Sequence, residues 1–177
     1  MTEPSTPLAD LLLHPVRWRI TQRALGREVT TTDLKAELPD IPVTTLYRHV
    51  AALIEGGVLT VVRERKIRGT TERTLTLDQA TGGRLSDAEA RAMSPDQHRQ
   101  AFLLLLTALA ADFDRMLARG DLADHIHQLS YSQLALYVDD DDLTELRNRI
   151  LAAFRPYLDE QPGKQRVTWS LFSLPDT

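Results

Sequence analysis

The stretch VTTLYRHVAALIEGGVL, residues 43–59, decides the fold. At about 100° per residue, Val43, Leu46, Val50, Leu53 and Ile54 fall on one side of a helix. Thr44, Arg48, Ala51 and Glu55 lie opposite, with Thr45 and Ala52 beside them and Tyr47 and His49 on the flanks. Gly56-Gly57 ends the helix with a residue free to take positive φ. The sequence then changes from a period of 3.6 to a period of 2. A helix that buries one face, offers a polar one and runs into an alternating stretch has the form of a recognition helix followed by a wing.

The flanks complete that plan. Upstream, Asp40-Ile41-Pro42 is a tight turn, preceded by a short helix with Leu34 and Leu38 inward. Thr30-Thr31-Thr32-Asp33 supplies the oxygens that cap it. Another helix starts at His14-Pro15, because proline at the first helical position loses no intrahelical hydrogen bond. Val16, Ile20 and Ala24 share its inner face and Gly26 stops it, while Leu8–Leu13 reads as a short apolar helix after a loose arm with Pro4 and Pro7. Downstream, Leu59, Val61 and Arg63 alternate with Thr60, Val62 and Glu64. A polar tip, Ile67-Arg68-Gly69-Thr70, leads to a second alternating run, Glu72–Leu77, with Arg73, Leu75 and Leu77 on one face. Three helices and a hairpin predict a winged helix-turn-helix over residues 1–80.

Gln79–Arg84, with Gly82-Gly83, is the expected linker to a second domain over residues 85–177. Ser86 and Glu89 form a capping box for a short helix there, and Ser94-Pro95 opens a long one. In the long helix Phe102, Leu106, Leu109, Phe113 and Met116 recur at spacings of 4 and 3, and Leu103, Ala110 and Leu117 widen the stripe. Asp121–Leu129 is expected as a short helix, and Asp139 caps another whose Leu143, Leu146, Ile150, Phe154 and Tyr157 face inward. Tyr131–Val138 and Arg166–Leu174 are expected as strands of a small antiparallel sheet. The fold class is therefore α+β: a winged helix-turn-helix followed by a helical domain with a small sheet, serving dimerisation and effector binding.

The chain has 177 residues and a net charge of −4, which hides one basic patch. Arg63–Arg73 holds Arg63, Arg65, Lys66, Arg68 and Arg73 against Glu64 and Glu72, a net charge of +3. A patch of this kind suits a DNA backbone even on an acidic protein. The 42% of hydrophobic residues excludes a disordered chain. The absence of cysteine excludes disulfides, thiolate metal sensing and a cysteine nucleophile. No apolar run has membrane-spanning length, and Met1–Pro7 has neither charge nor apolar run of a signal peptide, so a cytoplasmic protein is expected.

Candidate DNA contacts follow from the recognition face and the cap segment: Thr31, Thr32, Thr44, Thr45, Tyr47, Arg48 and His49. Arg48 suits a bidentate pair with guanine, and the threonines suit a thymine methyl or a phosphate. Arg65, Lys66 and Arg68 of the hairpin suit phosphates. The run LLHPVRWRITQRAL within Leu11–Leu25, TTTDLKAEL, VTTLYRHVAALIEGGVL and RERKIRGTTERTLTL together resemble the DNA-binding unit of ArsR-like winged-helix repressors. The resemblance covers about residues 8–78. It implies a homodimeric, ligand-responsive transcription repressor whose partner is a double-stranded operator. Many such sensors carry cysteines in this unit, which this chain lacks. Its longer C-terminal half looks like that of the extended members, whose additions serve dimerisation or effector binding.

Other readings compete. A winged helix also serves as a protein-interaction module without sequence-specific DNA binding, a reading that salt-dependent DNA binding discriminates. No catalytic residue, metal site or cofactor is expected, since neither a Gly-rich phosphate loop nor a paired-His motif occurs. Asp139–Asp142 reads as a helix cap before a hard-metal cluster, and Asp121, His125 and His127 are poorly spaced for a metal. An apolar small-molecule effector is expected against the second sheet, near Tyr131, Gln133, Tyr137 and Trp169.

Overall fold

The computed structural model describes residues 8–67, 70–77, 87–158 and 160–175. Two compact units divide the chain, residues 1–115 and 116–177. The expected linker falls on residues 78–86, outside the described ones.

The first unit opens with α1 (Leu8–Leu12) and α2 (Pro15–Ala24). Pro15 stands at the start of α2, and the His14 ring caps it by accepting from the Val16 N–H at 3.2 Å. The guanidinium of Arg17 reaches back to donate to the carbonyls of Leu11 and Asp10, both at 2.6 Å, closing the end of α1. A two-residue strand, β1 (Val29–Thr30), leads into α3 (Thr31–Glu37). There Thr30 and Asp33 form a reciprocal capping box, and the hydrogen bonds from Thr30 hold the Asp33 carboxyl below its usual range. Replacing Thr30 by alanine is expected to cost about 1 kcal/mol of stability, read as a shift in the urea midpoint. A loss below measurement would show that α3 does not depend on this cap.

The turn after α3 buries Ile41, whose N–H donates to the Leu38 carbonyl. Arg19 of α2 grips Asp40 of this turn with two hydrogen bonds, at 2.6 and 2.7 Å. The helix α4 (Val43–Glu55) buries Leu46, His49, Val50 and Leu53. It ends as its sequence dictates. Val58 N–H donates to the Leu53 carbonyl, Gly57 N–H donates to the Ile54 carbonyl, and Gly57 takes φ of 71°, a Schellman motif. Gly56 has a different reason to be glycine. A Cβ there would stand 2.2 Å from Cδ1 of Leu11, so α1 closes directly over the end of α4.

The wing consists of β2 (Leu59–Ile67) and β3 (Thr70–Leu77). The sheet is antiparallel with order β1-β3-β2. The register contains one irregularity: Val61 pairs with Leu75 and Arg63 with Thr74, leaving Val62 as a bulge. The bulge corrects the expected face of the strand. Leu59 and Val61 lie on the side of Leu75, but beyond Val62 that side carries Glu64 and Lys66 instead of Arg63 and Arg65. One core joins helices and sheet, and within it Ile20, Leu34, Leu38, Leu46, Leu53, Val58 and Leu75 are fully buried.

Beyond the wing, α5 (Asp87–Ala92) and α6 (Pro95–Ala118) follow. Ser94 and Gln97 cap α6 reciprocally. Met93 of this region packs with Ala9 and Leu13, joined by Ala101 and Leu104. Asp112 of α6 accepts from Arg23 of α2 at 3.3 Å, which fixes α6 to the helix-turn-helix. The expected burial of the α6 stripe is corrected, since no residue of α6 is fully buried.

The second unit holds α7 (Leu122–His125), a short 3-10 turn, α8 (Asp140–Phe154) and a further 3-10 turn. Asp139 and Asp142 cap α8 reciprocally, which accounts for the acidic run without a metal. The expected strands Tyr131–Val138 and Arg166–Leu174 do not form, and neither segment enters a ladder. Among its described residues this unit buries no side chain completely. No helix among the described residues is long and apolar enough to cross a membrane.

Candidate nucleic-acid interface

The outer face of α4 is built by its inner one. Burial of Leu46, Val50 and Leu53 fixes the helix about its axis, so Thr44, Arg48, Ala51 and Glu55 are exposed. Tyr47 is also exposed, and Thr45 is half-buried beside them. Pro42 offers no side-chain cap to α4, so the N–H groups of its first turn remain open to an acceptor such as a phosphate.

Three expected contacts are placed differently. Thr31 is buried, and Thr32 donates its hydroxyl to Glu72 of the wing at 2.7 Å. His49, expected on a flank, is only 7% exposed, and its ring meets that of His14 at a tilt of 44° with centroids 4.4 Å apart. Its position three residues after Leu46 and four before Leu53 puts it at the edge of the buried stripe. Burial first, then the His14 ring and the Arg48 and Arg17 charges, lower the His49 pKa. Arg68 lies outside the described residues.

The wing gains positive character from its pairings. Glu64 accepts from Arg73 directly across the strands at 2.9 Å, and Glu72 is occupied by Thr32. Arg63 faces Glu28 at 3.8 Å. All three cations of α2 are likewise committed, Arg17 to carbonyls, Arg19 to Asp40 and Arg23 to Glu37 and Asp112. Arg48, Arg65 and Lys66 have no ion-pair partner among the described residues, and all three are exposed. Of the two acidic residues in the patch, Glu64 is neutralised by Arg73, while Glu72 keeps its charge and accepts from Thr32. The bulge at Val62 sets which wing residues face one another, and nothing in the alternation announces it.

Tyr131 and Tyr137, expected in an effector pocket, are 78% and 101% exposed, and Gln133 is exposed with them. Trp169 is 66% exposed and meets Phe154 edge-on, with centroids 5.4 Å apart. The pocket needed a sheet to bring these side chains together, and that sheet is not formed. His125 lies 3.4 Å from Asp121, as one helix turn permits, and no cluster of three or more metal-ligating side chains occurs among the described residues.

A family model described as a helix-turn-helix domain matches residues 12–62, from the end of α1 into β2. That span contains α3, the Ile41 turn and α4, which therefore take the places of the two helices and the turn of a helix-turn-helix, with α4 second. No curated protein matches the chain.

Proposed function

We propose that the chain is an ArsR-like transcription regulator, a repressor that binds a near-palindromic duplex operator as a homodimer, with residues 1–80 as reading head and residues 85–177 as dimerisation domain. The observation that carries the DNA reading is the set of unpaired cations, Arg48 on the outer face of α4 and Arg65 and Lys66 on the wing, beside Thr44 and Tyr47. In this reading Arg48 reads a base edge in the major groove, and Arg65 and Lys66 grip the backbone.

Two features support the dimer. Leu103, Leu106, Ala110, Phe113 and Leu117 of α6 are all exposed, and their spacing of 3, 4, 3 and 4 is that of a helix-pairing seam. The segment Tyr131–Val138 is exposed throughout and keeps an alternating pattern outside any ladder, which suits pairing with a second copy. Release by an effector rests on the resemblance alone, because Tyr131, Gln133, Tyr137 and Trp169 form no enclosed group.

The test begins with selection of an operator from random duplex DNA by the full chain. Arg48→Ala is expected to cost about 1–3 kcal/mol at that site and to relax base preference at one position. Lys66→Ala is expected to weaken selected and random DNA alike and to reduce the salt slope by about 1. Absence of salt-dependent binding would favour the protein-interaction module, and wild-type binding by Arg48→Ala would move the reading face elsewhere.

A further inference from the structure

The ring contact between His14 and His49, tilted at 44°, joins two points that matter for the interface. His14 is the cap of α2, and His49 is on the buried side of α4, adjacent in sequence to Arg48. The tautomer of His14 follows from its hydrogen bond. Because Nδ1 accepts from the Val16 N–H, the neutral ring carries its proton on Nε2. A second proton must therefore go to Nδ1, where it turns the acceptor into a donor facing another donor. It also places a cation against the His49 ring at 4.4 Å between centroids.

The charges bearing on the pair do nothing to accept that cation. Arg17 of α2 and Arg48 of α4 act on both rings. Asp10 of α1 acts on Arg17, while Asp96 and Arg99 of α6 line the open groove beside Pro15. We propose that the His14–His49 ring contact is an acid-sensitive latch that positions the recognition helix, closed while both rings are neutral and released when either takes a proton. This inference rests on the DNA-binding reading of α4.

Burial is the first cause that lowers both pKa values, reinforced for His14 by Arg17 and for His49 by the His14 ring. The sign follows from linkage. A histidine whose folded pKa lies below its ordinary value of 6.5 contributes stability above 6.5, lost as pH falls through 6.5 towards the folded value. Acidification would therefore loosen α2 from α4 while Arg48 keeps its charge, so the side chain that reads DNA remains but its bearing shifts.

The experiment compares the full chain with a His14→Asn, His49→Phe double variant, in which asparagine keeps a cap acceptor and phenylalanine keeps an aromatic ring. Melting midpoints and binding to a fixed random-sequence duplex are measured from pH 8 to pH 5, with the imidazole resonances of wild type followed by NMR. The wild type is expected to lose melting midpoint below pH 6.5 and to lose several-fold more DNA affinity than the variant over that range. Both rings are expected to titrate below the ordinary value of 6.5. Equal pH dependence of wild type and variant overturns the latch. If the variant does not fold, the NMR titration decides, and His14 and His49 rings that titrate at or above 6.5 overturn it. Failure of the DNA reading looks different, because then the duplex binds at no pH while the wild-type melting and NMR curves still report the pair.

Discussion

Replacing Leu46 by alanine is expected to destabilise the chain by about 2–5 kcal/mol, the usual cost of removing a buried leucine side chain. Leu46 is fully buried near the start of α4 and belongs to the cluster that includes Ile20, Leu34, Leu38 and Leu53. The removed atoms lose their transfer energy, and the cavity adds to the loss because three helices and a sheet meet there and cannot all close in. Against a typical stability of about 5–15 kcal/mol, that is a large fraction. Urea unfolding of the full chain should show a lower midpoint with an unchanged slope. Leu46→Met, which conserves volume, should cost less than about 1.5 kcal/mol. Val43→Ala, at an exposed position of the same helix, should stay within about 0.5 kcal/mol. If Leu46→Ala behaves like Val43→Ala, α4 does not pack as described.

The same comparison shows why α4 was legible in the sequence. Thirteen residues with one apolar face and a Gly-Gly stop specify a helix, its end and its orientation together. The capping residues Thr30, Ser94 and Asp139 were equally readable, since a short polar side chain before a periodic run has a local partner. What escaped was non-local. β1 has two residues, too few to show alternation, and exists because Val29 and Thr30 meet Leu75 and Thr74. The bulge at Val62 reverses the wing's faces at a point where the pattern continues unbroken. The 100° placement puts His49 on a flank, and its burial comes with the His14 ring that α2 sets against it, a contact no helical period shows. Within the candidate site, the exposure of Thr44, Tyr47 and Arg48 is readable from the helix period, whereas the pairing of Glu64 with Arg73 and of Glu72 with Thr32 depends on cross-strand and helix–strand contacts. Tyr131–Val138 and Arg166–Leu174 alternate as strands do, but alternation specifies which residues share a face and not whether a partner strand exists.

The largest functional effect is expected at the proposed dimer contact of α6. In the proposed dimer, the α6 seam of one copy lies on that of the other, and Leu106→Glu with Phe113→Glu would place four carboxylates in the contact. Both side chains are 39% exposed in the single chain, so the substitutions should leave the fold of each copy intact. Shortening the chain near Arg84 would be a poorer test, because it also strips Met93, Ala101 and Leu104 from Ala9 and Leu13 and damages the reading head. The double variant should sediment as a monomer at concentrations where wild type is a dimer. Its affinity for a selected palindromic operator should fall by roughly 10²–10⁴, the gain that linking two half-site contacts provides. Affinity for an isolated half-site should barely change, since Arg48, Arg65 and Lys66 are untouched. Arg23 and Asp112 make this coupling mechanical, because their contact at 3.3 Å fixes α6 to α2 and so relates each reading head to the seam. A double variant that stays dimeric would move the interface to the exposed segment 131–138. Wild type that is monomeric and still prefers the full palindrome would remove the dimer from the mechanism, leaving α4 and the wing to read DNA as a single head.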